Sequence, residues 1–103
     1  MGDYMEETIK QWIAAFQQQG DQEALEHLRE ACWPVVERLI DQLAMKHGAE
    51  IEKLLCEKGM ERFPFIFSKY QLEVQLPLET FLTNTYRFYF MQVLNEHQSK
   101  KET

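Results

Sequence analysis

The chain has 103 residues, 45% of them apolar and 13% aromatic, with a net charge of −6. That length builds one domain with a real core and leaves no room for two. Four Gly and three Pro are too few for an all-β design of many tight turns; the acidic balance excludes strong unaided binding to duplex nucleic acid, which draws mostly on Lys and Arg at phosphates.

In chain order, the first expected helix runs from about Met5 to Gln19, where Ile9, Trp12, Ile13 and Phe16 fall at the i, i+3, i+4, i+7 spacing of one buried face. Gly20 is placed to end it in the left-handed conformation that glycine adopts without penalty. Asp21 then suits an N-cap, with Glu23 favoured in the first turn by the helix dipole. The second helix carries Leu25, Leu28, Cys32, Val35, Val36, Leu39 and Leu43 on one stripe. Pro34 inside it predicts either a kink or a restart near Trp33, and His47-Gly48 marks the end.

The third segment has Ile51, Leu54 and Leu55 at helical spacing, with Gly59 and Pro64 expected to interrupt it. "QLEVQ" reads as an extended connector, Pro77 suits the first turn of a last helix reaching about His97, and residues 98–103 read as a polar, frayed tail. The expected fold class is all-α: a compact domain of four to five helices, orthogonal or bundle-like, spanning 1–103.

The last helix poses the sharpest question, because Phe81, Tyr86, Phe88, Tyr89 and Phe90 put five rings into ten positions. At 100° per residue, Leu78, Leu82, Thr85, Tyr89 and Val93 share one side and make the expected core stripe, with Tyr86 at its edge. Phe81 and Phe88 lie together on another flank, and Phe90 falls near Leu94. Burial on three sides would account for Phe88 and Phe90. A wet platform for bases or a partner would account for Phe81 and its neighbours, since a ring stacks on a base with ~1–3 kcal/mol and needs no sequence code. Periodicity alone leaves both open.

Little in the sequence suggests catalysis. His27, His47 and His97 are far apart and stand with no carboxylate or Cys at ligand spacing, so they read as surface or capping residues. Ser68 and Ser99 sit in no nucleophile-elbow context, and no Gly-rich phosphate loop occurs. Cys32 and Cys56 have neither metal nor redox spacing and suit a reducing compartment. The expectation is no enzyme, no metal and no cofactor. "MGDYMEETIK" lacks the apolar run of a leader, and no stretch approaches the roughly 18 apolar residues of a membrane span, so a cytoplasmic protein away from membranes is expected.

Charge is uneven: residues 1–50 hold ten acids and four bases, residues 51–103 seven of each. Between Phe63 and Ser99, Lys69 and Arg87 are the only cations. Two phosphate contacts imply a single-strand salt slope of about −1.4.

The order of segments resembles region two of bacterial sigma factors of the sigma-seventy family. Gly20, Asp21, Ala24, Leu25 and Pro34 match the family's opening G-D-x-x-A-L helix and its proline. Leu55 and Gly59 match its D-L-x-Q-E-G helix, Lys69-Tyr70 its K-[FY] pair, and Pro77, Thr80, Phe81 and Arg87 the start of its Arg-bearing aromatic helix. The likeness covers about residues 5–97 and needs no gap from Leu54 to Phe90. It implies an all-helical module of transcription initiation that docks on the coiled coil of the largest subunit of core RNA polymerase and captures unstacked bases of the −10 promoter element. By that likeness the polymerase-binding residues are Leu54, Leu55, Glu57 and Lys58, and the DNA-binding residues are Leu78, Phe81, Asn84, Thr85, Arg87 and Phe88.

Some family positions are occupied differently. Leu54, Glu57 and Lys58 stand where the family has Asp, Gln and Glu; Asn84-Thr85 replaces its tryptophan wedge; Phe88 replaces a polar base reader. The family's second DNA-reading region does not follow, so either a larger protein or a partner chain is expected to supply it. The alternative expectation is a sigma-like helical module acting only by protein contact, as co-regulator or adaptor, with Phe81, Phe88 and Met91 as a groove for a partner helix. A third is a plain bundle in which Phe81 is simply buried.

Overall fold

The computed structural model describes residues 6–71 and 76–102, with side chains over 7–71 and 76–99. Four helices account for the secondary structure there: α1 (Glu6–Gln19), α2 (Gln22–His47), α3 (Ile51–Lys69) and α4 (Leu78–Glu102). The long α2 packs against each of the other three, α3 packs against α1 and α4, and α1 does not reach α4. No helix among the described residues is long and apolar enough to cross a membrane.

Local chemistry sets the first two helices as the sequence predicts. Ile9 and Ile13 are buried on α1, with Trp12 and Phe16 packed beside them. Met5, the expected start, lies outside the described residues. Gly20 has φ +64° and its N–H donates to the Phe16 carbonyl at 2.9 Å. The Asp21 carboxylate then accepts from the N–H groups of Glu23 and Ala24 at 3.0 and 3.2 Å, closing two otherwise unpaired donors of α2. At the far end Gly48 takes φ +113° and donates to Ala44.

The proline expectations need correction. α2 runs unbroken through Pro34, with no restart near Trp33. Pro34 lies on the exposed side, where a carbonyl left without its N–H donor can turn to water. α3 likewise continues through both Gly59 and Pro64. Gly59, Phe63, Ile66 and Phe67 are all buried around that point, and tertiary burial on both sides of the proline outweighs its local cost.

At the C-terminus of α3, Gln17 of α1 donates its side-chain amide to the carbonyls of Phe67 at 2.8 Å and Tyr70 at 2.6 Å. This cross-helix cap satisfies acceptors that the helix itself cannot. Residues 72–75 of the expected connector lie outside the described residues. α4 starts one position after Pro77, whose carbonyl accepts from Phe81 N–H at 3.0 Å, and it extends to Glu102. The expected frayed tail is therefore helical through residue 102. Nothing in "NEHQSKKE" is a Gly or Pro, so no residue there stops a helix already nucleated.

Candidate functional site

The buried side of α4 is rotated from the expected stripe. Leu82, Tyr86 and Phe90 are fully buried, with Val93 and Leu94 beside them, while Leu78, Thr85 and Tyr89 stand only half-buried at the edge. The cause is a node with α3. Tyr86 donates its hydroxyl proton to the Gly59 carbonyl at 2.9 Å, and the Phe90 ring lies against the Gly59 backbone where a side chain would otherwise stand. Gly59 meets Tyr86 and Phe90, Arg62 meets Tyr89, and Tyr70 meets Phe81, so α3 and α4 run antiparallel.

That rotation leaves a second stripe at the edge of the core, with Phe81 still packed against the interior and Asn84 and Phe88 facing water. Phe81, Asn84, Thr85 and Phe88 fall at i, i+3, i+4, i+7. Phe88 is 68% exposed. Phe81 is half-buried, its ring 4.8 Å from Tyr70 in an edge-on arrangement (interplanar angle 68°). Asn84 is exposed and Thr85 half-buried; Met91, one turn beyond Phe88, is exposed too. Burial on three sides, which would have covered both Phe88 and Phe90, holds for Phe90 alone: Phe88 is wet and Phe90 has zero exposure.

Of the other residues named from the sequence, Arg87 does not join this stripe. It lines a shallow cleft between α2 and α4 with Val35, Arg38, Leu39, Gln42, Glu79 and Thr83, where Arg38 and Glu79 pair at 3.0 Å. Leu78 sits half-buried at the base of α4. On α3, Glu57 and Lys58 are exposed and Leu54 half-buried, whereas Leu55 has zero exposure and its side chain belongs to the interior. Of these four, the other three remain for a surface contact.

One feature was missed from sequence. The Arg62 guanidinium lies 4.0 Å from the Phe65 ring centre and 5.1 Å from that of Tyr89, and Lys69 Nζ lies 5.7 Å from the Phe65 ring. The signal available was the spacing Arg62, Phe65, Lys69 (i, i+3, i+7) on one helix face, obscured by the expected break at Pro64.

Among the described residues no three His, Cys, Asp or Glu side chains gather as a metal site needs. His27 is exposed and stacks on Trp12 at 4.9 Å. Burial pushes the Cys32 thiol up from an ordinary 9.0 to about 12, and burial also raises Tyr86. Both groups must give up a proton to become charged, so each holds that proton tighter folded than unfolded. The Cys32 contribution is complete below pH 9 and is lost as pH rises from there through about 12, and that of Tyr86 starts to be lost only above its ordinary value of 10.0. Urea titrations across this window should show stability falling as pH rises, and Cys32→Ala should flatten the lower part of the decline.

No family model, curated protein or solved structure matches the chain. The functional reading therefore rests on the residues and their arrangement.

Proposed function

We propose that this chain is a sigma-factor-like domain of transcription initiation, which docks on the largest-subunit coiled coil of core RNA polymerase and holds unstacked bases of the single-stranded −10 promoter element. The observation that carries the reading is the partly exposed flank of α4, with Phe88 wet and Phe81 half-buried against Tyr70. A base stacked on such a ring gains ~1–3 kcal/mol whatever its identity. Polymerase contact through Leu54, Glu57 and Lys58 supplies the affinity, and the rings trap a base once the duplex opens. The chain's own charge of −6 keeps it off free duplex DNA.

Phe88→Ala is the clean test, because the ring contributes little to the interior. Pull-down should retain core polymerase while promoter opening by the complex falls about fivefold to a hundredfold. Polymerase retained with opening unchanged removes base capture by this ring. Failure of the unaltered chain to bind polymerase removes the reading as a whole.

A second reading has one observation in its favour. Phe88 and Met91, one turn apart and both exposed, suit the apolar face of a partner helix, as an adaptor acting by protein contact alone would use. Loss of a protein partner on Phe88→Ala, without polymerase binding, supports it.

A further inference from the structure

The Arg62, Phe65 and Tyr89 stack is not accounted for by the core. Phe65 is 46% exposed, and the guanidinium over it is held by ring faces rather than by a carboxylate. Local charge adds a second observation. Residues 62–71 and 80–95 contain Arg62, Lys69 and Arg87 and none of the chain's 17 acidic residues. Past the exposed Glu61, the last two turns of α3 and the middle of α4 thus carry cations and no carboxylates of their own on an otherwise acidic protein. Arg87 turns to the α2 side, so Arg62 and Lys69 are the cations left on the α3 flank.

Flat rings beside a guanidinium, along a track that has no acids beyond Glu61 at its edge, match a polyanion whose monomers carry π-faces. An acidic peptide would answer the charge but not the rings. An apolar helix would answer the rings but not the cations. We infer that the α3–α4 flank formed by Arg62, Phe65, Lys69 and Tyr89 grips a stretch of single-stranded nucleic acid, with Phe65 as the stacking platform and Arg62 and Lys69 on its phosphates. The inference rests on reading α4 as a single-strand surface and extends that surface to α3. The antiparallel packing makes the two stretches neighbours, because Tyr70 and Arg62 touch Phe81 and Tyr89 respectively.

The test uses the full chain and a fluorescently labelled oligothymidylate, with anisotropy read across a salt series. The unaltered chain should bind saturably at low salt with a slope of about −1.4, as two phosphate contacts require. Phe65→Ala should weaken binding about fivefold to a hundredfold. Arg62→Gln and Lys69→Gln should each bring the slope closer to zero by about 0.7. All three positions are at the surface or its edge, and thermal melts of the variants verify that they fold.

Absence of saturable binding by the unaltered chain overturns the inference. So do unchanged affinity and slope in all three variants. If Phe88→Ala abolishes oligothymidylate binding while the flank variants leave it intact, the flank plays no part and the α4 reading survives. If the flank variants lower binding but core polymerase is not retained, the flank stands and the polymerase reading falls.

Discussion

Phe90→Ala is expected to cost about 3–5 kcal/mol of stability, while Phe88→Ala, two residues earlier on the same helix, changes it by less than about 0.5 kcal/mol. The chemistry of the two substitutions is identical, so the difference lies in what surrounds each ring. Phe90 has zero exposure; it packs 5.3 Å from Tyr86 and 5.9 Å from Tyr89, centre to centre, and fills the space beside Gly59. Removing it loses the transfer free energy of the ring and leaves a cavity lined by side chains that other contacts hold in place. Phe88 is 68% exposed and leaves no cavity.

A domain of this size has a total stability of roughly 5–15 kcal/mol, so the larger loss is about a fifth of it or more. Thermal melts should show Phe90→Ala falling by at least about 12 °C, at roughly 4 °C per kcal/mol. If Phe90→Leu is needed to keep a folded protein in hand, it should fall between the other two. Equal losses for positions 88 and 90 would mean that the outward stripe of α4 is not outward, and base capture would lose its platform.

That contrast marks where the sequence stops being legible. Helix ends with a chemical signal were readable, because Gly20 and Asp21 act through their own backbone and side chain, whatever the rest of the molecule does. The faces of α1 and α2 were readable because each carries one apolar stripe. α4 carries apolar residues on more than one side, so its periodicity fits several orientations, and the choice was made by Tyr86 finding the Gly59 carbonyl. Pro64 misled for a related reason. A proline's local cost of ~3 kcal/mol is decisive in a peptide, but here Phe63, Ile66 and Phe67 bury around it and carry the helix through.

The site follows the same division. That a ring-rich helix would present something outward was legible, but which rings was not. Phe81 and Phe88 share a face by arithmetic, and only packing shows that the Phe88 end of it is left uncovered while Phe81 is half-buried. The Arg62 stack depends on α3 remaining helical past Gly59, so an expected break there hid it. Leu55 illustrates the reverse error: a motif position taken for a contact residue lies wholly inside. Its neighbour Glu57 falls near the opposite side of the helix, and Lys58, one turn on at the edge of the buried face, is exposed as well.

Gly59→Val is expected to destabilise the protein by about 1–3 kcal/mol, although glycine is the poorer helix former. A Cβ at this position would stand 3.2 Å from Phe90 Cζ and 3.2 Å from Trp33 Cη2, with Phe90 Cε1 at 3.4 Å. The Phe90 ring is fully enclosed and has nowhere to go; Trp33 is half-exposed and can yield on its side alone. Replacing glycine in a helix with valine returns only a few tenths of a kcal/mol of propensity, too little to offset two further methyl carbons pressed against the ring. Any shift of α4 away from α3 also stretches the hydrogen bond from Tyr86 to the Gly59 carbonyl.

A double-mutant cycle separates crowding from propensity. In the native background Gly59→Ala should lose a little stability, because contact with Phe90 outweighs the ~1 kcal/mol that alanine gains in a helix. With Phe90→Leu the ring is gone, and the same Gly59→Ala should become stabilising, giving a coupling of about 0.5–3 kcal/mol measured by urea unfolding. Additive effects would show that Gly59 and Phe90 do not touch. The antiparallel register that brings Arg62 to Tyr89 and leaves Phe88 in water would then lose its anchor.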